Sequence, residues 1–88
     1  TYKKIENKDN LGNYAKKATE TIISYGGKPL VRGGNYKCLE GTDFPRTVIW
    51  EFSNYAAAEK CYNSKEYQEA WGLAKESTYR NLEIVEGV

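Results

Sequence analysis

A helical stripe in the first third of the chain constrains the fold more than any other feature. Apolar residues recur there at steps of three and four, and this spacing places them on one face of a helix. The members of the stripe are Leu11, Tyr14, Ala15, Ala18, Ile22 and Tyr25. Asn7 is a good N-cap ahead of it, and Gly26-Gly27 ends it, because glycine tolerates the left-handed conformation at a helix C-terminus. The pattern predicts a helix of about seventeen residues with one buried face.

Strand patterns lie before and after this helix. Residues 1–6 predict a first strand, and residues 28–40 predict a long second strand that Gly33-Gly34 interrupts with a bulge or bend. Residues 46–52 predict a third strand and residues 80–86 a fourth. These segments supply a sheet against which the helix can pack.

The third strand has the clearest alternation. Val48, Trp50 and Phe52 fall on one face, whereas Ile49 and Glu51 fall on the other. We therefore expect the aromatic face to meet the helices and the face with Glu51 to point away from them.

A second helical pattern follows the third strand. Ser53 or Asn54 supplies its N-cap. Asn63, with Glu66 three residues later, has the spacing of a second capping box. We therefore expect this helix to break near Asn63 and to restart there.

The element order is β-α-β-β-α-β, with no internal repeat or linker. Two helices that each carry one apolar stripe can cover only one face of an antiparallel sheet. The pattern therefore predicts an α+β fold of the ferredoxin-like type, as a single domain over residues 1–88. The sheet face with Ile49 and Glu51 is then uncovered and partly apolar. This favours a homodimer that packs sheet against sheet around a closed cavity.

Composition argues against several classes of partner. Thirteen Lys and Arg against twelve Asp and Glu leave a net charge of +1, which gives no electrostatic case for nucleic acid or for an anionic membrane. No apolar run approaches the ~20 residues that cross a bilayer. No signal peptide is visible at Thr1-Tyr2-Lys3-Lys4, and without an initiator Met we expect some trimming of the N-terminus.

Cys38 and Cys61 match no zinc or CxxC spacing, so we expect free thiols in a reducing cytoplasm.

Several short sequence words carry a resemblance to a known family. They are Gly26-Gly27-Lys28-Pro29-Leu30-Val31-Arg32-Gly33-Gly34, Leu39-Glu40-Gly41, Glu51-Phe52, Asn63-Ser64-Lys65-Glu66-Tyr67-Gln68 and Val85-Glu86-Gly87. Through these words, from about Ile5 to Val88, the chain resembles the small dimeric α/β-barrel proteins grouped as domain-of-unknown-function family 1330 (DUF1330). The resemblance implies a ferredoxin-like subunit that dimerises through its sheet. It implies no activity, because none is established for the family.

The chain departs from the family pattern in two places. Relatives commonly place a histidine just before the Ser-x-Glu-Tyr word, where this chain has Asn63. No role of that imidazole therefore carries over. The first strand also begins late against the family pattern, so we expect its N-terminal end to be missing.

The absence of histidine limits the chemistry of the chain. It excludes Ser-His-Asp and Cys-His nucleophile systems, histidine-rich metal sites and histidine-ligated haem. Neither GxGxxG nor GxxxxGK[ST] occurs, so no motif indicates a nucleotide site. We expect neither a metal nor a cofactor.

Six polar residues remain as candidates for a site, and Arg32 is the first of them. The set comprises Arg32, Tyr36, Glu40, Arg46, Glu51 and Tyr67. Arg32 lies beside Gly33-Gly34, where a bulge re-aims side chains, and its guanidinium fork suits a carboxylate. It is either an anion anchor in the cavity or one half of a structural ion pair with Glu40, Glu51 or Glu86.

Glu51 and Tyr67 each have two interpretations. Glu51, on the face away from the helices, is a general base with a raised pKa in a partly apolar pocket, or it forms an interfacial salt bridge with Arg32 or Arg46. Tyr67 supplies a phenol at the mouth of a pocket, or it belongs to the core. We place Arg32 and Glu51 on the same face of the sheet and expect them to be coupled.

The sequence leaves three functions open, and it does not decide whether the protein is an enzyme. The first is a cytoplasmic homodimer that binds or transforms a small polar or anionic metabolite. Arg32 would anchor this metabolite with help from Arg46 and Tyr67, and Glu51 would be the base. The second is a binding or structural module without chemistry. The third, by analogy of fold alone, is a cofactor-independent monooxygenase.

Overall fold

The computed structural model describes residues 1–88 as an α+β arrangement compatible with the ferredoxin-like plan. None of its helices combines the length and the apolar character of a membrane span. The elements are β1 (Tyr2–Ile5), α1 (Lys8–Ser24), β2 (Lys28–Arg32), β3 (Val48–Glu51), α2 (Tyr55–Tyr62), α3 (Lys65–Trp71), a 3-10 turn (Lys75–Ser77) and β4 (Thr78–Arg80).

The strands form two antiparallel pairs, β1 with β4 and β2 with β3. A single antiparallel bridge between Tyr2 and Arg46 joins the pairs, and the Tyr2 amide donates to the Arg46 carbonyl at 2.8 Å. The strands therefore follow one another in space as β4-β1-β3-β2, which is the ferredoxin-like order.

The α1 helix covers the range that its apolar stripe predicts. The Asn7 side chain caps its start by accepting from the amide of Asn10 at 2.9 Å, and Tyr14, Ala18 and Ile22 are buried. Local capping and periodicity are sufficient to specify this element.

The second helical segment breaks as predicted, but a different residue caps the restart. Asn54 caps α2 by accepting from the amide of Ala57 at 2.8 Å. Ser64, rather than Asn63, caps α3 by accepting from the amide of Tyr67 at 3.1 Å. Asn63, the C-cap residue that follows α2, still has helical dihedral angles, so Ser64 is the first extended residue and takes the N-cap position.

The helices cover one face of the strands and enclose the core. The buried residues of this core are Tyr14, Ala18, Ile22, Cys61, Tyr67, Ala70 and Ala74. Trp50 and Phe52 pack against it from the third strand, whereas Ile49 and Glu51 are exposed on the opposite face. The alternation predicted for this strand is therefore confirmed.

The second strand is shorter than predicted. β2 ends at Arg32, and Gly33 turns the chain away with a φ of 68°. The Gly33 amide makes a bond to the Thr47 carbonyl at 2.9 Å, and residues 34–45 form no regular element. The positive φ of Gly33 interrupts the extended backbone. Residues 34–40 therefore have no neighbouring strand with which to form backbone hydrogen bonds, despite their strand pattern.

The last strand begins earlier and ends earlier than the predicted range 80–86. β4 covers Thr78–Arg80, and residues 81–88 form no regular element. The Asn81 amide donates to the Thr1 carbonyl at 2.9 Å, and the Thr1 ammonium donates to the Asn81 carbonyl at 3.0 Å. Beyond the pairing of Thr1 with Asn81, no strand lies alongside residues 82–88. An alternating pattern of apolar and polar residues does not form a strand without a neighbouring strand to bond to.

Both cysteines are free thiols, but their accessibility differs. Cys38 is exposed on the loop after β2, whereas Cys61 is buried in α2 and burial raises the pKa of its thiol. We expect brief treatment of the native protein with iodoacetamide to add one carbamidomethyl group, at Cys38, because alkylation requires an accessible thiolate. Peptide mapping by mass spectrometry checks the site. Equal labelling of Cys61, or a mass two hydrogens lower in unreduced protein, would contradict these assignments.

Candidate functional site

The four residues predicted to form one site fall into two different places. Arg32 and Arg46 line a small cavity between α1 and the strands. Glu51 and Tyr67 line a much larger open groove beside the end of β3. The structure therefore brings the two arginines together and separates them from the predicted base.

The small cavity has mostly hydrophobic walls, and Thr19, Arg32 and Arg46 are its non-hydrophobic lining residues. Its volume is about 40 Å³, which accommodates about two or three water molecules or the head group of a small anion. The hydrophobic part of the lining comprises Tyr2, Leu11, Tyr14, Ala15, Ala18, Ile22, Val48 and Trp50.

Arg32 lies on the helix side of β2, so its predicted placement beside Glu51 is wrong. Its Nη2 donates to Thr19 Oγ1 in α1 at 3.3 Å, and its Cζ lies 5.8 Å from the centroid of the Trp50 ring. In the register of the two strands, Arg32 pairs with Val48, and an irregularity falls between Pro29 and Val31. One extra residue in a strand moves every later side chain to the other face, and this bulge reverses the orientation of Arg32.

Arg46 precedes β3 and reaches the same cavity. Its carbonyl accepts from Tyr2, which fixes the backbone, and its half-buried side chain passes over Gly33. A Cβ atom at Gly33 would collide with the Arg46 guanidinium. Glycine at this turn therefore provides both the positive φ and the space in which Arg46 lies.

Arg80 approaches the cavity wall from β4. Its Nη1 donates to the Tyr14 hydroxyl at 2.9 Å, and its Cζ lies 3.4 Å from the centroid of the Trp71 ring. The hydroxyls of Tyr14 and Tyr67 are 2.6 Å apart. Burial, with a smaller contribution from Tyr67, raises the pKa of the Tyr14 phenol well above its ordinary value. Tyr14 therefore stays neutral and offers no charge to balance the guanidinium.

None of the three arginines of the chain has a carboxylate partner: Arg32 and Arg46 line the small cavity, and Arg80 donates to the Tyr14 hydroxyl. The ion pairs of the structure are elsewhere, between Lys4 and Glu6 and between Lys65 and Glu69. Arg32 makes no ion pair with Glu40, Glu51 or Glu86, and Arg46 makes none either. The arrangement has the chemistry of an anion-binding site, because guanidinium groups are strong paired donors for carboxylate or phosphate oxygens.

The larger groove has a volume of about 950 Å³ and a mostly hydrophobic lining. One wall is β3 with the start of α2, and the other is the segment 82–88. Glu51 is exposed beside the groove, whereas Tyr67 lines it but is only 4% exposed. Because the Tyr67 hydroxyl is engaged with Tyr14, the core interpretation of Tyr67 matches its position better than the pocket-mouth interpretation.

The two remaining candidates lie away from both places. Tyr36 and Glu40 are exposed on the loop after β2, where the Tyr36 hydroxyl donates to Asp43 at 3.4 Å. No group of three Cys, Asp or Glu side chains is arranged to hold a metal ion. The sequence interpretation missed Tyr14 and Arg80, because Tyr14 belongs to a helical stripe typical of a core and Arg80 starts a predicted strand. No local pattern of the sequence indicates that these two side chains meet.

A family model matches this chain. The model of a family described as a domain of unknown function (DUF1330) matches residues 1–88. No curated protein matches the chain. Since the match covers the whole chain, the protein belongs to the DUF1330 family.

Proposed function

We propose that the protein binds a small anionic metabolite at the cavity lined by Arg32 and Arg46, and that it does so as a cytoplasmic homodimer. The observation that carries this proposal is that Arg32 and Arg46 line one cavity and that neither has a carboxylate within ion-pair distance. Two arginines that line one cavity without a protein counter-ion are suited to an anion that arrives from solution.

The cavity suits a carboxylate or phosphate head group rather than a whole metabolite. At about 40 Å³ it holds only the charged end. Arg32 is exposed, so the rest of the ligand would extend past its side chain into solvent or toward a second subunit. The hydroxyl of Thr19, already bonded to Arg32, and the ring of Trp50 would form the walls of the entrance.

A titration of the native protein with malonate and with inorganic phosphate tests this proposal. We expect saturable binding by calorimetry and a loss of affinity of about tenfold or more in Arg32→Gln and in Arg46→Gln, because a hydrogen bond to a charged group contributes about 1.5–3 kcal/mol. Lys16→Gln, which removes an equal charge from the exposed side of α1, is the matched control and should bind as the native chain does.

Two results would contradict the proposal. One is the absence of saturable binding by the native chain. The other is an equal loss of affinity in Lys16→Gln, which would mean that the net charge of the chain, and not the arginine cavity, determines binding. A lower melting temperature in Arg32→Gln without any effect on binding would favour the alternative, a homodimeric module in which the arginines are structural.

The homodimer proposal rests on the sheet face that the helices leave uncovered. Leu30, Val31 and Ile49 are 53%, 38% and 46% exposed there. Apposed faces of two copies would bury these side chains, and Glu51 would lie at the edge of the interface. Any role for Glu51 as a general base depends on this assembly, because in one chain it is exposed and distant from the arginine cavity.

Light scattering checks the assembly. We expect twice the 10.0 kDa mass of one chain at micromolar concentration, and a shift to monomer in Ile49→Lys, because a buried unpaired charge is costly at an apolar interface. Ile23→Lys is the control, since Ile23 is similarly exposed, at 55%, but lies on α1. A native mass of one chain at all concentrations would contradict the dimer.

A further inference from the structure

We infer that the cavity lined by Arg32 and Arg46 selects a doubly charged head group, and that its ligand is a phosphate monoester rather than a carboxylate. This inference rests on the proposed function and narrows it to one class of anion. It follows from the positive charges at the cavity, from the unused donors of its two guanidinium groups, and from the nature of its walls and its size.

Two positive charges meet at this cavity, and no negative charge of the protein offsets them. The Arg46 guanidinium lies against Gly33, the residue that follows Arg32. Neither guanidinium is within ion-pair distance of a carboxylate. Arginine does not lose its proton in proteins, so both charges are permanent. An anion with one negative charge would therefore balance only one of them, whereas a doubly charged anion would balance both.

The two guanidinium groups also have unused hydrogen-bond donors. Each carries five N–H groups in a fixed plane. Arg32 uses one of them on Thr19 Oγ1, and the only other arginine side chain that donates within the protein is Arg80. Arg46 therefore keeps all of its donors for a ligand. A phosphate monoester presents three strong acceptor oxygens to such donors, and a carboxylate presents two.

The hydrophobic walls of the cavity strengthen the preference for two charges. Most of the lining is apolar, with Val48 and Trp50 on the strand side and Leu11 and Ala15 on the helix side. Charges interact more strongly beside apolar groups than in water, because less solvent screens them. The net charge of +1, by contrast, gives the chain only a weak overall field. The selection is therefore a local property of the two arginines.

The size of the cavity decides between the two kinds of doubly charged anion. At about 40 Å³ it accommodates one head group, so the two carboxylates of a dicarboxylate cannot both enter. A phosphate monoester carries both charges on one head group. Because Arg32 is exposed, the ester oxygen can lead past its side chain, and the rest of the molecule then lies outside the cavity.

The pH dependence of binding reports the charge of the ligand, because the cavity itself does not titrate near neutral pH. The chain has no histidine. Besides the arginines, Tyr2 and Tyr14 are the titratable groups of the lining, and burial raises the pKa of both phenols, so both stay neutral. The Thr1 ammonium, whose pKa is lowered by partial burial, lies outside the lining.

Calorimetric titration with methyl phosphate and with methyl sulfate tests this inference. The two anions have nearly the same shape, but methyl sulfate keeps a single charge, whereas the second pKa of a phosphate monoester is about 6. At about pH 7.5 and low ionic strength we expect methyl phosphate to bind about tenfold or more tightly than methyl sulfate. At about pH 5 methyl phosphate has regained its second proton, so the ratio of the two affinities should fall to about threefold or less.

Two variants assign the preference to the pair of arginines. Arg46→Gln and Arg32→Gln each leave one guanidinium, so we expect the ratio at about pH 7.5 to fall to about threefold or less. Lys16→Gln, on the exposed side of α1, is the matched control and should keep the native ratio. Partial unfolding of a variant lowers both affinities by the same factor, so the ratio does not depend on the stability of the variant.

Equal affinities of the native chain for the two anions would overturn this inference and would leave the anion site in place. A preference for methyl phosphate that persists undiminished at about pH 5 would also overturn it, because the second charge would then be irrelevant. The same holds if Lys16→Gln lowers the ratio as much as the arginine variants do. Saturable binding of neither anion would overturn the proposed function as well.

Discussion

Replacement of Tyr67 by alanine is expected to leave the chain largely unfolded. The Tyr67 ring is 4% exposed and packs edge-on against Tyr14, with ring centroids 6.1 Å apart, while its centroid lies 5.5 Å from that of Tyr62. Removal of a buried aromatic side chain costs about 3–5 kcal/mol. A chain of this length has a total stability near the lower end of the usual ~5–15 kcal/mol, so little of it would remain.

Tyr67→Phe is the matched control for this substitution. It keeps the ring and removes only the hydroxyl that lies 2.6 Å from the Tyr14 hydroxyl, so we expect a loss of about 1 kcal/mol. Urea unfolding measures both variants. Equal losses would mean that the hydrogen bond, rather than the packing of the ring, contributes most of the stability at this position.

Two glycine-to-alanine substitutions are expected to change stability in opposite directions. A Cβ atom at Gly27 would collide with the Ile22 side chain and would lie 2.9 Å from the Ile22 carbonyl oxygen. That oxygen belongs to the helix backbone and accepts from the Gly27 amide at 2.8 Å, so it cannot move away easily. Overpacking of this kind costs about 1–3 kcal/mol.

Gly12→Ala is the control for the Gly27 substitution. Gly12 is exposed inside α1, and a Cβ atom there meets nothing within 4 Å. Alanine in a helix interior is favoured over glycine by about 0.5–1 kcal/mol, so this variant should be more stable than the native chain. Thermal unfolding distinguishes the two, since 1 kcal/mol corresponds to about 4–8 °C in a domain of this size. Stabilisation by Gly27→Ala would show that the close approach to Ile22 is absent in solution.

The helices could be predicted from the sequence because the signals that form them are local. The stripe from Leu11 to Tyr25 and the cap at Asn7 lie within the segment that they specify. The break in the second helical segment could also be predicted, because the capping pattern near Asn63 is local. Its cap was misplaced by one residue because Asn63 and Ser64 are both good caps, and only the backbone conformation chooses between them.

The placement of Arg32 could not be predicted, because it depends on a register that spans two strands. The sequence predicts a bulge at the glycine pair after Arg32, whereas the irregularity lies before Arg32, between Pro29 and Val31. Pro29 lacks an amide hydrogen and is a typical neighbour of such an irregularity. A single residue of shift was enough to move Arg32 from the Glu51 side to the helix side.

The strand patterns at residues 34–40 and 81–86 show a second limit of the sequence. Both have suitable composition, yet neither forms a strand, because a strand requires a neighbour whose backbone can pair with it. Pairing is non-local, and no pattern within a segment reveals whether a partner lies alongside. The arginine cluster was missed for the same reason, since Arg46 and Arg80 join Tyr14 only through tertiary contacts.

The central claim, that the arginine cavity binds an anion, is tested most directly by NMR of the arginine side chains. The chain has three arginines and hence three Nε–Hε signals, which can be followed during a titration with malonate. We predict that the signals of Arg32 and Arg46 shift together and saturate at the same concentration. Unmoved signals, or shifts that rise linearly without saturation and are matched by the exposed lysine side chains, would contradict the claim.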